Sequence, residues 1–424
     1  MPNPKNIFLH IFLMLVISTS VYSKPDNENN LSQTIILSDN IDVEIKIHKA
    51  AGNYAILWVA PGYGFRKSQW ELANILARKK NIEVWMIDMN EALFLPRGST
   101  AMRKISGKYV AELINILHKK TGKKIILMSS YYGAIPVLRG ARQWQLTRPD
   151  TPYLLGAVLF SPNLYATIPT LGKDPIYLPI AKASNIPIMI FQAETNGIRW
   201  QAGSLLKNLY ASGSQTYFQI MPGITSIFYR QERPRAVNEY FKTLPDKLIR
   251  AIKTLEKTGA PLKALALNKV NDFSHGLDIE LKEYKGDTRV SEIILTDINN
   301  KKHAYKSLRN KVTLINFWAT WCPPCVEEIP SLNRLGKIIN HPDFRIISIN
   351  YAEPLDDIKK FLKDFRVEYP ILLDRNGMVA REWKVIVFPS TFVIGKDGQI
   401  KYGVNAAIKW DTEDTIGILR KLLN

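Results

Sequence analysis

Cysteine and histidine are scarce in this sequence. Its 424 residues contain two cysteines, Cys322 and Cys325, and six histidines. So few cysteines exclude a small scaffold held together by disulfides. A structural zinc site would need a second pair of Cys or His ligands at suitable spacing. The histidines are scattered and form no H-x₃₋₅-H pair. We therefore predict no metal, and we favour redox chemistry at the C-x-x-C pair over half of a zinc site.

Acidic residues are outnumbered by basic ones. The chain has 57 Lys and Arg against 38 Asp and Glu, a formal net charge of +19. Residues 1–274 carry 34 basic and 18 acidic side chains, a net charge of +16. Residues 275–424 carry 23 and 20, a net charge of +3. The basic N-terminal part would suit an anionic envelope surface or an acidic partner, and its simpler alternative is a solvated basic face. We predict no nucleic-acid partner.

Long apolar runs are absent except near the N-terminus. Lys5 precedes an apolar run at residues 7–17, and small residues follow up to Ser23. This pattern indicates a signal peptide over residues 1–23. The run is shorter than the roughly 20 residues that span a bilayer, and no cysteine follows it to carry a lipid. We expect an exported, periplasmic protein, with an uncleaved signal anchor in the membrane as the alternative.

Predicted strands and helices alternate along the first half of the chain. Six short apolar runs are typical of buried strands. They are residues 54–60, 82–87, 124–128, 154–160, 186–191 and 216–221. Repeated βα units predict an α/β fold, a parallel sheet with helices on both faces. We assign residues 34–257 to one domain, 258–287 to a linker and 288–424 to a second domain.

The C-x-x-C pair lies at a predicted strand-to-helix junction. Residues 313–318 are typical of a buried strand, and Cys322 opens the helical segment that follows. Unpaired N–H groups and the positive dipole end of a helix N-terminus favour a thiolate there. The thiolate is the nucleophile of disulfide exchange. Cys325, three residues later, is close enough to resolve a mixed disulfide. We predict that these two cysteines are catalytic.

Several ordered motifs surround this pair. They are NFWATWCPPC at residues 316–325, EEIP at 327–330, YPILLD at 369–374, Val385 with Pro389, and IGKDG at 394–398. In these motifs the C-terminal domain resembles the TlpA/ResA-like thiol–disulfide oxidoreductases. The resemblance implies a thioredoxin-like α/β/α domain, a redox-active Cys322–Cys325 disulfide and no cofactor. It also implies a supporting set of residues. This set is Trp321, Pro323, Pro324, Glu328 and a cis Pro389.

Each supporting residue has an implied role. Pro389 would pack beside the disulfide and present backbone to a client strand. Trp321 would flank the nucleophile, with plain core packing as its alternative. Glu328 would tune the thiols, with a solvated surface charge as its alternative. Pro323 and Pro324 remove a backbone N–H that could stabilise the thiolate, so we expect a reductant.

Two further positions sharpen this expectation. Asn316 stands where thioredoxins carry a buried Asp, and an amide cannot take the proton of Cys325, which leaves Glu328 or solvent as the acceptor. Phe388 is bulkier than is usual before the proline, so it should narrow the client groove. We predict reduction of a client protein's disulfide. A membrane thiol transporter of the DsbD kind is implied as the upstream donor.

Two loops of the first domain suggest a second resemblance. PGYG at residues 61–64 and SSYYGA at 129–134 each follow a predicted strand. They stand where α/β-hydrolases carry the oxyanion loop and the G-x-S-x-G nucleophile elbow, so residues 34–257 resemble a three-layer α/β-hydrolase. Aligned on the elbow, Tyr131 takes the nucleophile position. Glu194 is available as the acid, and Ser226 lies where the histidine would stand. The base that a triad needs is missing.

We therefore predict a vestigial, non-catalytic hydrolase-like domain kept for binding or docking. One alternative is a serine esterase or peptidase that uses Ser129 or Ser130 with an unconventional base. Another is a client-binding or scaffold protein in which the redox domain is an accessory.

Overall fold

The computed structural model describes residues 30–147, 150–228, 235–267, 280–306 and 308–424. The predicted signal peptide at residues 1–23 lies outside them. Among the described residues, no helix is both long and apolar enough to cross a bilayer. These residues form a mixed α/β structure, as predicted, with two eight-stranded sheets.

The first sheet and its helices span residues 30–258. Its strands are β1 (Asn30–Leu37), β2 (Ile41–His48), β3 (Tyr54–Val59), β4 (Glu83–Ile87), β5 (Lys124–Ser130), β6 (Leu154–Phe160), β7 (Ile188–Ala193) and β8 (Thr216–Met221). Its helices are α1 (Lys67–Lys80), α2 (Met89–Ala92), α3 (Ser99–Lys104), α4 (Gly107–Thr121), α5 (Ala134–Leu146), α6 (Ala202–Ala211) and α7 (Arg235–Thr258).

The strands of this sheet lie in the order β1-β2-β4-β3-β5-β6-β7-β8. All neighbours from β4 to β8 are parallel, and apolar cores cover both faces of the sheet, as the βα pattern predicts. β1 and β2 form an antiparallel hairpin, and β2 is antiparallel to β4. The sequence pattern missed this hairpin. In β2 buried and exposed residues alternate over most of its length, so no continuous apolar run marks it.

The second sheet and its helices begin at residue 282. The strands are β9 (Lys282–Glu283), β10 (Ile293–Asp297), β11 (Lys302–Tyr305), β12 (Val312–Trp318), β13 (Phe344–Tyr351), β14 (Ile371–Asp374), β15 (Ser390–Ile394) and β16 (Ile400–Val404). The helices are α8 (Pro323–Ile339), α9 (Leu355–Asp364), α10 (Met378–Glu382) and α11 (Glu413–Leu423).

The second sheet is mixed. Its order is β11-β10-β14-β13-β12-β15-β16-β9. The fully buried β12 is parallel to β13 and antiparallel to β15, and β15 and β16 form the hairpin that Asp397-Gly398 predicts. The two-residue β9 falls inside the predicted linker, where it pairs with β16. β14 has four residues and β9 has two, Lys282 and Glu283, so neither is long enough for its sequence to mark it as a strand.

The two domains pack directly against each other. Leu171 belongs to the first domain but is only 5% exposed, because it is buried in the core of the second. A Cβ on Gly403 of β16 would overlap Leu171 Cδ1, so the Leu171 side chain packs directly against the glycine backbone. The Asn405 side-chain amide donates a hydrogen bond to the Pro169 carbonyl.

A second group of contacts lies nearer the ends of the strands. The Thr225 hydroxyl donates to the Ala352 carbonyl at 3.3 Å. The Arg381 guanidinium lies 4.6 Å from the centroid of the Trp200 ring. A Cβ on Gly197 would lie 3.1 Å from the Ile386 carbonyl oxygen. Contacts from several loops therefore hold the two domains in one relative arrangement.

Candidate functional site

The central strand of the second domain delivers the cysteine pair. β12 ends at Trp318, and α8 begins at Pro323 with Cys322 as its N-cap. Cys322 and Cys325 form a disulfide. Cys322 is 5% exposed and Cys325 is fully buried, so an incoming sulfur can reach only Cys322. The Cys325 backbone N–H donates to Cys322 Sγ at 3.3 Å. That donor would also stabilise a Cys322 thiolate.

The two prolines occupy the first positions of α8. Proline is tolerated there because the missing N–H has no partner inside the helix. Because Pro323 and Pro324 have no N–H, the first backbone donor of α8 is the Cys325 N–H, which bonds Cys322 Sγ. The predicted loss of N–H donors next to the thiolate therefore fits the structure, while its effect on acidity stays a prediction.

Aromatic residues and a cis proline flank the disulfide. The Phe388–Pro389 bond is cis, which is what the resemblance implies. The Phe388 ring packs edge-on against Trp321, with 5.9 Å between centroids, and lies 4.6 Å from the Tyr351 ring. Both Trp321 and Phe388 line the cleft that leads to Cys322. Trp321 is partly buried, so packing and flanking the nucleophile are compatible roles for it.

Glu328 lies one turn after Cys325 on the inner face of α8. It is 2% exposed, whereas its neighbour Glu327 is exposed, so the alternative of a solvated charge does not describe Glu328. Asn316 Nδ2 donates to its Oε1 at 2.7 Å, and Trp410 Nε1 donates to its Oε2 at 3.1 Å. Burial raises the pKa of Glu328 to about 7, against the lowering effect of those hydrogen bonds. It can therefore exchange a proton near neutral pH.

A second buried carboxylate, Glu353, was missed by the sequence analysis. Its Oε2 accepts hydrogen bonds from the Thr320 N–H at 2.7 Å and from Asn350 Nδ2 at 2.8 Å. Its Oε1 accepts from the Thr320 hydroxyl at 2.5 Å. Glu353 thus fixes the loop that leads into Cys322. The signal was available, because β12 and β13 are parallel neighbours and the residues after them share one edge of the sheet.

The first domain presents a comparable strand-to-helix turn. Tyr131 follows β5 and has φ +49°, the strained conformation expected at the elbow position. Its hydroxyl is hydrogen-bonded by Ser226 and by Asn196 Nδ2, the latter at 3.4 Å. Burial raises the pKa of Tyr131 to about 12 despite these bonds. The phenol therefore stays protonated at neutral pH and is not an activated nucleophile.

The remaining predicted hydrolase residues lie in buried or hydrogen-bonded positions. Ser130 is fully buried, and its hydroxyl has no hydrogen-bond partner among the described residues. Ser129 is also fully buried and donates to the Val59 carbonyl at 2.7 Å. The Glu194 carboxylate accepts the Gly223 N–H at 2.8 Å and lies 3.9 Å from an Arg199 nitrogen. The structure brings Tyr131 and Ser226 together, but it turns Glu194 towards backbone and arginine.

One cleft joins the two turns. It is lined on the second domain by Cys322 and its flanking residues, and on the first domain by six residues from loops after the parallel strands. These six are Tyr63, Tyr131, Tyr132, Asn163, Asn196 and Ile198. The carboxyl ends of both sheets therefore face the same space, which is where open α/β sheets bind ligands. Sequence analysis could not place Asn163 or Asn196 there, since nothing in the sequence fixes how the domains meet.

Metal ligation has no support in the part of the chain that is described. No three His, Cys, Asp or Glu side chains within it converge on a point that could hold an ion. Both cysteine sulfurs are committed to the disulfide.

Comparison with known proteins adds to these findings for the second domain. Residues 275–403 match the AhpC/TSA family. The thiol-disulfide oxidoreductase ResA of Geobacillus kaustophilus (strain HTA426) is 36% identical over 110 residues, which cover 26% of this chain and 63% of that protein. A ResA of Bacillus cereus is 31% identical over 130 residues, covering 30% of this chain and 73% of that protein.

A solved structure of StoA from Bacillus subtilis is 19% identical, with a TM-score of 0.27, and covers 32% of this chain and 97% of that one. The chain spans less than two thirds of the length of the ResA from Geobacillus kaustophilus. It matches 73% of the ResA from Bacillus cereus at 31% identity. Through its C-terminal domain, which matches the AhpC/TSA family, the chain belongs among the ResA-like thiol–disulfide oxidoreductases.

Proposed function

We propose that this protein is an exported thiol–disulfide oxidoreductase that reduces disulfides of a periplasmic client. The observation that carries the proposal is the Cys322–Cys325 disulfide at the start of α8, with Cys322 alone reachable from the cleft. The match to ResA-like proteins supports the reaction class. The apolar N-terminal segment of the sequence supports export, by a cleaved signal peptide or with an uncleaved anchor.

The proposed reaction begins with the reduced pair. The Cys322 thiolate attacks one sulfur of the client disulfide, the client S–S bond breaks, and the leaving client thiolate takes up a proton. Cys325 then loses its proton and attacks Cys322 Sγ, which releases the second client thiol. Two electrons and two protons pass to the client, and the cysteines end as a disulfide. A membrane dithiol donor of the DsbD kind would restore the reduced pair.

Glu328 is the proposed proton acceptor for Cys325. The two residues are three apart on α8 and so lie on the same side of the helix, and both are buried. An acid with a pKa of about 7 is matched to general base catalysis near neutral pH. Asn316, which stands where thioredoxins carry a buried Asp, holds Glu328 by a hydrogen bond and has no basic atom of its own.

The first domain is proposed to be a hydrolase-shaped module without hydrolase activity. Support for the shape comes from the parallel sheet, the strained turn at Tyr131 and the loop after β3 that also reaches the cleft. Support for inactivity comes from the protonated Tyr131 phenol and the inaccessible Ser130. We propose that this module helps to choose the client.

A single-turnover experiment tests the activity. The fully reduced full-length protein is mixed with excess 2-hydroxyethyl disulfide, and released thiol is measured. We expect two thiols per protein molecule, and none from a Cys322→Ser variant. Thiol release that survives the Cys322→Ser substitution, or is absent from the wild type, would contradict the proposal.

Trapping tests the client. A Cys325→Ser variant should hold the mixed disulfide on Cys322, so that the client can be recovered from the native envelope and identified by mass spectrometry. The matched control is the double variant Cys322→Ser/Cys325→Ser, which should recover nothing through a disulfide.

A further inference from the structure

The approach to Cys322 is narrow because both domains build it. The cleft has a volume of about 140 Å³. Sites for drug-sized ligands range from about 300 to 1,000 Å³, so this cleft has room for one slender group beside the sulfur. Tyr63, Tyr131 and Ile198 of the first domain form the wall opposite Pro324 and Phe388. Without the first domain, the disulfide would be open on one side.

The cleft is also neutral. None of its lining residues carries a formal charge, although the chain as a whole has a net charge of +19. The polar groups are tyrosine hydroxyls and the side-chain amides of Asn163 and Asn196. Charges lie behind this lining: the Arg103 guanidinium is 5.4 Å from the centroid of the Tyr132 ring. A charged group entering the cleft would lose water and would find no charged side chain in the lining to pair with.

We propose that the first domain is a selectivity wall for Cys322, which admits client disulfides whose sulfurs carry slender, uncharged groups and slows those with charged or bulky groups next to the sulfur. This inference rests on the proposed oxidoreductase function and adds the substrate class to it. Exchange requires a client sulfur to contact Cys322 Sγ, so the groups attached to that sulfur must fit between the two walls. Tyr63 and Asn163 are specificity residues, because they line the cleft from the first domain and belong to neither cysteine chemistry nor its proton route.

Four disulfides test the selectivity. Reduced full-length protein is mixed in single turnover with 2-hydroxyethyl disulfide (neutral), cystamine (cationic), dithiodiglycolate (anionic) and insulin (bulky). Each rate is divided by the rate of the same disulfide with dithiothreitol, which removes intrinsic reactivity. We expect the neutral small disulfide to lead each of the others by about ten-fold or more, the ratio that 1.4 kcal/mol gives. Normalised rates within two-fold of each other would overturn the proposal. So would a higher normalised rate for the anionic probe than for the neutral one, because it would mean that the net positive charge of the chain sets the preference.

Two variants locate the effect. Asn163→Asp places a carboxylate in the cleft at nearly constant size and keeps the acceptor for the Tyr165 N–H. It should raise the cystamine-to-dithiodiglycolate ratio by about five-fold, and Asn208→Asp on α6 should leave that ratio unchanged. Tyr63→Ala should raise the insulin rate relative to the neutral probe, whereas Tyr210→Ala, at an exposed tyrosine, should not. Unchanged ratios in folded Asn163→Asp and Tyr63→Ala proteins would refute the wall.

The two levels of failure are distinguishable. If no probe is reduced and Cys322→Ser behaves like the wild type, the oxidoreductase function itself is wrong. If all probes are reduced through Cys322 without preference, the function stands and the selectivity wall is wrong.

Discussion

The two domains place different chemistry on the same kind of turn. In each, a central strand ends at the carboxyl edge of the sheet and a helix starts a few residues later. Cys322 stands on one turn and receives an N–H from the first turn of α8. Tyr131 stands on the other at φ +49°, buried and hydrogen-bonded by Ser226. One turn holds a disulfide that an incoming sulfur can reach, and the other holds a phenol that stays protonated at neutral pH.

The difference shows that position alone does not make a nucleophile. Both residues occupy an edge where α/β folds place their sites. Cys322 has a backbone donor on its sulfur, and a buried acid, Glu328, lies three residues after its partner cysteine on α8. Tyr131 has neither a base nor a lowered pKa, since burial raises that pKa to about 12. What the first domain contributes to this site is its surface, which forms about half of the cleft lining.

The strongest test of the comparison is whether the domains are energetically separate. Leu171→Ala would leave a cavity in the core of the second domain, although the residue belongs to the first. We expect it to lower the free energy of unfolding by about 3 kcal/mol, measured by denaturant titration. The control is Leu146→Ala, at a leucine that is 47% exposed, which should cost far less. Equal small effects would mean that the interface contributes little.

The chemical half of the comparison depends on Glu328. Replacing it by Gln removes the proposed proton acceptor, so resolution by Cys325 should slow by about 100-fold. Stopped-flow release of the second thiol measures this step separately from the first. Glu327→Gln, at the exposed neighbour, should leave the rate unchanged. If the resolution rate falls equally in both variants, or in neither, Glu328 is not the proton acceptor for Cys325.

The same residue should make stability depend on pH. The pKa of Glu328 is raised from 4.5 to about 7 in the folded state, so the unfolded chain loses this proton first as the pH rises. The associated stability is fully present below pH 4.5 and is lost as the pH approaches 7. Wild-type stability should therefore fall by about 2 kcal/mol between pH 5 and 7 relative to Glu328→Gln. Chemical unfolding at several pH values measures the difference, and parallel curves would contradict it.

The smallest expected effect is at the other turn. We expect no hydrolysis of a p-nitrophenyl ester above the rate of a Ser130→Ala variant, because the Ser130 hydroxyl is inaccessible and Tyr131 is protonated. A Tyr131→Ser variant should stay inactive as well, since no base is supplied with the serine. Ester hydrolysis that is abolished by Ser130→Ala would support the esterase alternative. It would also mean that both turns carry a reactive group.

Much of the fold could be predicted because its central strands are continuous apolar runs. β3, β5 and β6 were found in this way, as was β12 in the second domain. The hairpin of β1 and β2 could not, since a sheet edge needs no continuous run. The two-residue β9 is a strand only because β16 is beside it, and local sequence does not report such pairing.

The redox pair is predicted from sequence alone. Two cysteines at C-x-x-C spacing, an apolar strand before them and Pro389 after them leave few other interpretations. Glu327 and Glu328 look equivalent in sequence, but only Glu328 is buried. They differ because a one-residue step along a helix points the side chain to a different face. Only the packing of the two domains brings Tyr131 into the same cleft as Cys322. Residues as far apart in sequence as Tyr63 and Phe388 meet in this cleft because the two domains pack together. Local sequence patterns do not predict contacts at such separations.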